Sequence, residues 1–159
     1  MSLLIYKLNE EAIVPTRHSE EAVGYDLHTI EAFTMWPGQA VTIGTGLVVQ
    51  PPPGYHTEII LRSSLAFKFD IILRNSVGVI DRDYSGPGDE LRLMLYRLPS
   101  MSCFGVERTA FLKRFSPVSF NKGDRIAQLV IRETHHFPVE LVTVPPKDVG
   151  RGGLGSTGR

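Results

Sequence analysis

Two carboxylates, Asp81 and Asp83, stand two residues apart in the stretch GVIDRDYSG, Gly78 to Gly86, just after an apolar pair and just before a tyrosine and a glycine. A carboxylate held against an apolar wall such as Gly78-Val79-Ile80 gains basicity, because burial penalises its charged form, and a general base needs that. Tyr84 is near enough in sequence to lie against a sugar or a base. The same stretch also reads as a solvated hairpin.

Three further segments carry chemistry of a different kind. In RSSLAFK, Arg62, Ser63 and Ser64 stand where a strand gives way to a helical turn. A forked guanidinium, two hydroxyls and free amides suit a phosphate; taken alone, the segment is equally an N-cap beside a surface arginine. In GDRIAQLVI, Gln128 lies within an apolar run, where a polar side chain must find a partner or face a cavity. Asp124 and Arg125 suit a turn and a surface pair. The tail GRGGLGSTGR brings backbone amides, two hydroxyls and two cations, which suit a closing phosphate lid. By composition it is also an ordinary mobile terminus. It lacks the Gly-Lys-Ser/Thr of a Walker loop.

These segments need a frame to bring them together. The chain has 159 residues, 42% hydrophobic and 21% charged, with no net charge. That fits one globular domain with a real core, and it gives no electrostatic footprint for nucleic acid or a membrane surface. The single cysteine, Cys103, has no internal disulfide partner, so a reducing, cytoplasmic setting is expected. The start is apolar for only a few residues, unlike a signal peptide. The 15 glycines and 11 prolines cut the sequence into short segments, the pattern of many short strands. Strands are predicted over 3–8, 25–29, 40–50, 55–62, 71–74, 90–97, 125–133 and 139–144. One short helix is predicted over 63–69, with Ser63 able to cap it. Residues 98–114 break the rhythm as a long excursion. The fold expected is all-β, a sandwich or jelly roll of short strands, with a symmetric oligomer covering any open edge.

In order, GYDL (24–27), RSSLA (62–66), NSVGVIDRDYSG (75–86), GDRIAQLV (123–130) and GGLGSTG (152–158) resemble the five motifs of the trimeric dUTPase family, over nearly the whole chain. The resemblance implies a homotrimeric jelly roll, with residues 1–148 as one β domain and 149–159 as a flexible lid. It implies Mg²⁺-dependent hydrolysis of dUTP to dUMP and pyrophosphate in sites shared between subunits. On that pattern Asp81 activates the water that attacks the α-phosphorus. Residues 75–84 form a hairpin for uracil and deoxyribose, with Asn75, Gly78, Val79 and Ile80 at the base-reading edge and Tyr84 on the sugar. Arg92 borders the nucleotide from the next strand. Arg62, Ser63, Ser64 and Gln128 hold the triphosphate. Arg151, Leu154, Gly155, Ser156 and Thr157 close over it from a neighbouring subunit. The metal rides on phosphates and waters, with no direct protein ligand and with Asp26 near it through water. Asp83 matches either a site role or a structural bond in the turn.

Four features depart from the family pattern. Leu154 stands where a stacking phenylalanine is usual, which removes about 0.5–1.5 kcal/mol of geometry-specific contact. Val149 stands at the family arginine, with Arg151 two residues on. RSSLA replaces RSGLA, a form that also resembles dCTP deaminases. The excursion at 98–114 is longer than usual, and its Met101, Phe104, Phe111 and Leu112 suggest packing on something. A dCTP deaminase or bifunctional deaminase-hydrolase is the alternative, but no segment matches the deaminases' glutamate-bearing strand. A non-catalytic nucleotide-binding relative has only the altered tail in its favour.

Overall fold

A computed structural model describes residues 1–99 and 115–147. Twelve strands and one helix follow in the order β1 Leu4–Lys7, β2 Thr16–Arg17, β3 Tyr25–His28, β4 Phe33–Met35, β5 Ala40–Gly44, β6 Leu47–Gln50, β7 Tyr55–Leu61, α1 Ser63–Phe69, β8 Ile71–Leu73, β9 Gly78–Ile80, β10 Arg92–Arg97, β11 Val118–Phe120 and β12 Arg125–Glu133 among the described residues. A five-stranded sheet has the order β2-β3-β12-β7-β9, and a three-stranded sheet has β5-β10-β8. Two pairs, β1-β6 and β11-β4, complete the set, and all pairings are antiparallel.

The sheets meet through their apolar faces. Strand alternation sends every second residue inward. Leu27, Ile59, Ala127 and Leu129 from the larger sheet therefore share one core with Ile43, Leu73, Leu93 and Leu95 from the smaller. β10 shows the rule best: Leu93 and Leu95 are fully buried while Arg92 and Met94 face out. The all-β sandwich with one short helix is the expected architecture.

Several elements differ from the sequence reading. The run 40–50 is two strands, broken where Gly46 takes φ +68 in a corner that a Cβ would crowd against Ala12 at 2.9 Å. The strand expected from residue 90 begins at Arg92, because Glu90 is drawn into side-chain contacts of its own. The run 139–144 forms no strand: Val139 and Leu141 stand exposed, and no described strand pairs with them. β-Propensity alone does not make a strand without a partner edge. Ser63 does not cap α1. It is the first helical residue, while Arg62 takes the N-cap position with no side-chain capping bond. Residues 75–84 are not a hydrogen-bonded hairpin, since β8 pairs with β10 and β9 pairs with β7, so this segment crosses from one sheet to the other. Strands β2, β4 and β11 are only two or three residues long, too short to show a period in sequence.

Candidate active site

The crossing segment opens a cleft between the sheets. Gly78 pairs with Ile59 so closely that a Cβ at Gly78 would sit 3.2 Å from that of Ile59. The resulting cavity of about 330 Å³ is lined by Asn75, Gly78, Val79, Ile80, Tyr84 and Arg92, with Ile59, Leu73, Met94, Thr42 and Glu90. The five residues read as receiving the nucleoside and Arg92, read as bordering the nucleotide, share one cleft. Its floor is aliphatic and its rim polar, which suits a flat heterocycle with a sugar. Two details hold the rim: Ser76 takes a left-handed φ of 61°, and the Tyr84 hydroxyl donates to the Glu90 carbonyl at 3.3 Å.

Asp81 lies just beyond. The β7–β9 register sets Thr57 opposite Ile80, so His56 is the next residue opposite Asp81. Both line a second cavity of about 480 Å³ with Tyr55, Arg82, Asp83, Thr134 and His136. His56 is fixed there by its Nδ1, 2.9 Å from the Thr134 hydroxyl. Asp81 is exposed in the single chain rather than held against an apolar wall, because alternation turns Ile80 inward and Asp81 out. Among the described residues the Asp83 side chain makes no hydrogen bond; its carbonyl accepts from the Ser85 amide.

At the far end of β7 a second constellation forms around Asp26, which is 5% exposed. One carboxylate oxygen accepts from Arg125 Nη1 at 3.0 Å. The other meets Arg62 Nε at 3.5 Å and Gln128 Nε2 at 3.3 Å. The β3–β12 register puts Gln128 directly opposite Asp26. Gly24 gives Gln128 room, since a Cβ there would lie 3.0 Å from its side chain. Ser63 and Ser64 follow Arg62 directly at the helix start. Asp26, Arg62 and Gln128 are thus brought together. The Asp26 carboxylate serves here to hold two guanidiniums and an amide.

Two members of this constellation were not anticipated. Arg125 pairs with Asp26 and not with Asp124, whose carboxylate instead accepts from the Asn121 amide. His28 has a buried Nδ1 without a partner among the described residues. Burial holds its pKa below the ordinary histidine value, Asp26 opposes that, and Arg125 and Arg62 add to it. Arg125 is brought to Asp26 by the strand register, invisible in sequence, whereas His28 follows from the alternation of YDLH, which puts it on the face of Asp26.

A stability prediction follows from the partners of Asp26. Asp26→Asn removes the charge that balances two guanidiniums, both of which keep some water contact. The expected cost is about 1–2 kcal/mol, below the figure for a fully buried pair because of that exposure. Urea midpoints measure it, and an unshifted midpoint means that solvent alone balances the guanidiniums. Arg151, Leu154, Gly155, Ser156 and Thr157 lie outside the described residues, as do Val149 and positions 100–114.

Asp81 stands opposite position 56 and Arg62 lies six residues further along, about 20 Å at the rise of a strand.

A sandwich with a nucleoside-sized cleft and a separate cation cluster is the outline of a nucleotide-binding β protein. The chain belongs to the dUTPase family: a family model described as dUTPase matches residues 10–98. Deoxyuridine 5′-triphosphate nucleotidohydrolase of Nautilia profundicola is 38% identical over 160 residues, covering 100% of each chain. The dUTPase of Staphylococcus bacteriophage 80alpha, solved with dUPNHPP, shares the fold at a TM-score of 0.79 and 24% identity, covering 99% of each chain. A mutant dUTPase from phage phi11 of S. aureus, described with a structural Mg(II) ion, aligns at a TM-score of 0.75 and 23% identity over 92% of this chain and 100% of that one.

Proposed function

We propose that this chain hydrolyses dUTP to dUMP and pyrophosphate, limiting uracil in DNA and supplying dUMP. The observation that carries the reading is the cleft in which Asn75, Gly78, Val79, Ile80, Tyr84 and Arg92 converge one residue from Asp81. Backbone donors and acceptors of 78–80 match O2, N3–H and O4 of uracil. Cytosine inverts the pattern at N3 and C4, leaving buried groups unpaired, and is rejected. Tyr84 packs on the deoxyribose where a 2′-hydroxyl would need room. Asp81 takes the proton from the water that attacks the α-phosphorus, and its exposed carboxylate is open to that water.

Arg62, Arg125, Gln128 and the two serines bind the phosphates. The separation of about 20 Å exceeds the reach of one triphosphate, which supports a site assembled from different copies of the chain. Exposed Val139 and Leu141 give a further copy apolar surface to cover. A homotrimer is the proposed assembly, with 149–159 as the lid and Arg151, Leu154, Gly155, Ser156 and Thr157 over the nucleotide. Both Asp26 oxygens are already engaged, which fits a metal carried by the phosphates with Asp26 reaching it only through water. A bound Mg²⁺ would supply neutralisation of the phosphate charge. No helix among the described residues is long and apolar enough to cross a membrane. The proposed location is the cytoplasm, supported by the lone cysteine.

Pyrophosphate release measured with Mg²⁺ on dUTP, dCTP, dTTP and UTP tests the proposal. Release from dUTP alone is expected. Release from dCTP ending as dUMP would move the protein to the bifunctional class, and release from none would sink the hydrolase reading.

A further inference from the structure

Glu90 is charged, largely shielded and outside the roles given above. Its side chain is 14% exposed and lines the nucleoside cleft. One carboxylate oxygen accepts from the Gly46 backbone N–H at 2.8 Å, across the corner between β5 and β6. The other accepts from Arg92 Nε at 3.0 Å. The Glu90 carbonyl accepts from the Tyr84 hydroxyl at 3.3 Å. One residue thus touches Tyr84, expected on the sugar, and Arg92, expected to border the nucleotide, and it is itself tied to a separate corner of the fold.

The surroundings are shaped for that carboxylate. A Cβ at Gly44 would stand 2.5 Å from the Glu90 oxygen, so the carboxylate lies against bare backbone that only glycine provides. The Leu91 amide donates to Leu47 at 2.8 Å and the Thr45 hydroxyl donates to Leu91 at 2.8 Å, which fixes the chain on the far side of Glu90. Arg92, by contrast, keeps 65% of its side chain exposed. Arginine loses considerable rotamer freedom when held in one place. The charge-assisted bond from Glu90 is the one hydrogen bond that the described residues give its guanidinium.

We propose that Glu90 is a positioning residue: its carboxylate holds Arg92, and its main chain holds Tyr84, at the sugar side of the nucleotide cleft. This rests on the nucleotide reading above. Glu90 touches neither base nor phosphate and takes no proton. Its action is to have the guanidinium in place before the nucleotide arrives, so that binding does not carry the ordering cost.

Glu90→Gln is the informative variant. It retains an oxygen for the Gly46 amide and loses the charge that holds Arg92. The expected result is a rise of about tenfold in KM for dUTP, with kcat changed less than about twofold and an unchanged melting temperature. Arg92→Met is expected to raise KM to a similar degree, and the double variant to resemble Arg92→Met alone. Binding of an imido dUTP analogue, measured by calorimetry, reads the same effect without turnover. A native chain that binds the analogue yet releases no pyrophosphate overturns the hydrolase reading and leaves this inference standing if Glu90→Gln weakens binding. Equal binding by the native and Glu90→Gln chains overturns the inference. So does a Glu90→Gln variant that loses stability and kcat together, which would make Glu90 a structural tie, and so do additive effects in the double variant.

Discussion

Asp81→Asn is expected to lower dUTP turnover by roughly 10²–10⁴-fold while nucleotide affinity stays within about twofold. Asparagine keeps the size and the hydrogen-bonding reach of the carboxylate but cannot accept the proton of the attacking water. The backbone around Asp81 does not depend on its side chain. Ile80 is fixed by the β7–β9 ladder, and the Tyr84 amide donates to the Asp81 carbonyl at 3.2 Å. The side chain itself is exposed, so its charge carries little folding energy in the single chain. Melting temperature should therefore be unchanged, and the loss should fall on kcat. A variant with the native rate would show that another group takes the proton. His56, opposite Asp81 and lining the same cavity, would be the next to test.

The sequence was most legible where the chemistry is local. NSVGVIDRDYSG places Asn75, Gly78, Val79, Ile80 and Tyr84 within ten positions, so one crossing of the chain builds most of a cleft. RIAQLVIRE was a strand to the residue, because its length and apolar run outweigh any turn signal. What escaped was set by register and by partners. Arg125 reaches Asp26, and His28 comes to stand opposite Arg125, only because β12 lies beside β3 with a bulge between Arg125 and Ala127. The run 139–144 has strand composition but pairs with no strand among the described residues, a matter no local pattern encodes. Glu90 was read as the start of a strand, since nothing in ELRLMLYR reveals that Gly46 and Arg92 both turn toward it.

Arg97 is hidden in sequence for the same reason, and it yields the second large prediction. In sequence it is the polar end of a strand; in the fold it is 3% exposed. Its Nη1 donates to the Met35 carbonyl at 2.9 Å and the Ser116 carbonyl at 2.7 Å, and its Nε donates to the Phe69 carbonyl at 3.2 Å. One guanidinium so joins β4, the end of α1 and the chain leading into β11. Burial pushes its pKa below the ordinary arginine value and Asp70 opposes this, yet an arginine stays charged at any ordinary pH. Arg97→Met fills similar volume and supplies no donors. It recovers the guanidinium's desolvation cost but leaves the buried Met35 carbonyl without this donor, at about 1–3 kcal/mol, and removes the part-buried bonds to Phe69 and Ser116, at about 0.5–1.5 kcal/mol each. The net loss expected is about 3–5 kcal/mol, a large share of the 5–15 kcal/mol typical of a domain, or roughly 10 °C in melting temperature. Arg97→Lys keeps the charge and can satisfy part of the set, so it should recover some of that loss. Urea midpoints of the two variants separate the causes. If methionine and lysine are equally destabilising, the forked geometry of the guanidinium decides the effect. If methionine is as stable as the native chain, the three carbonyls find water and Arg97 is no clasp.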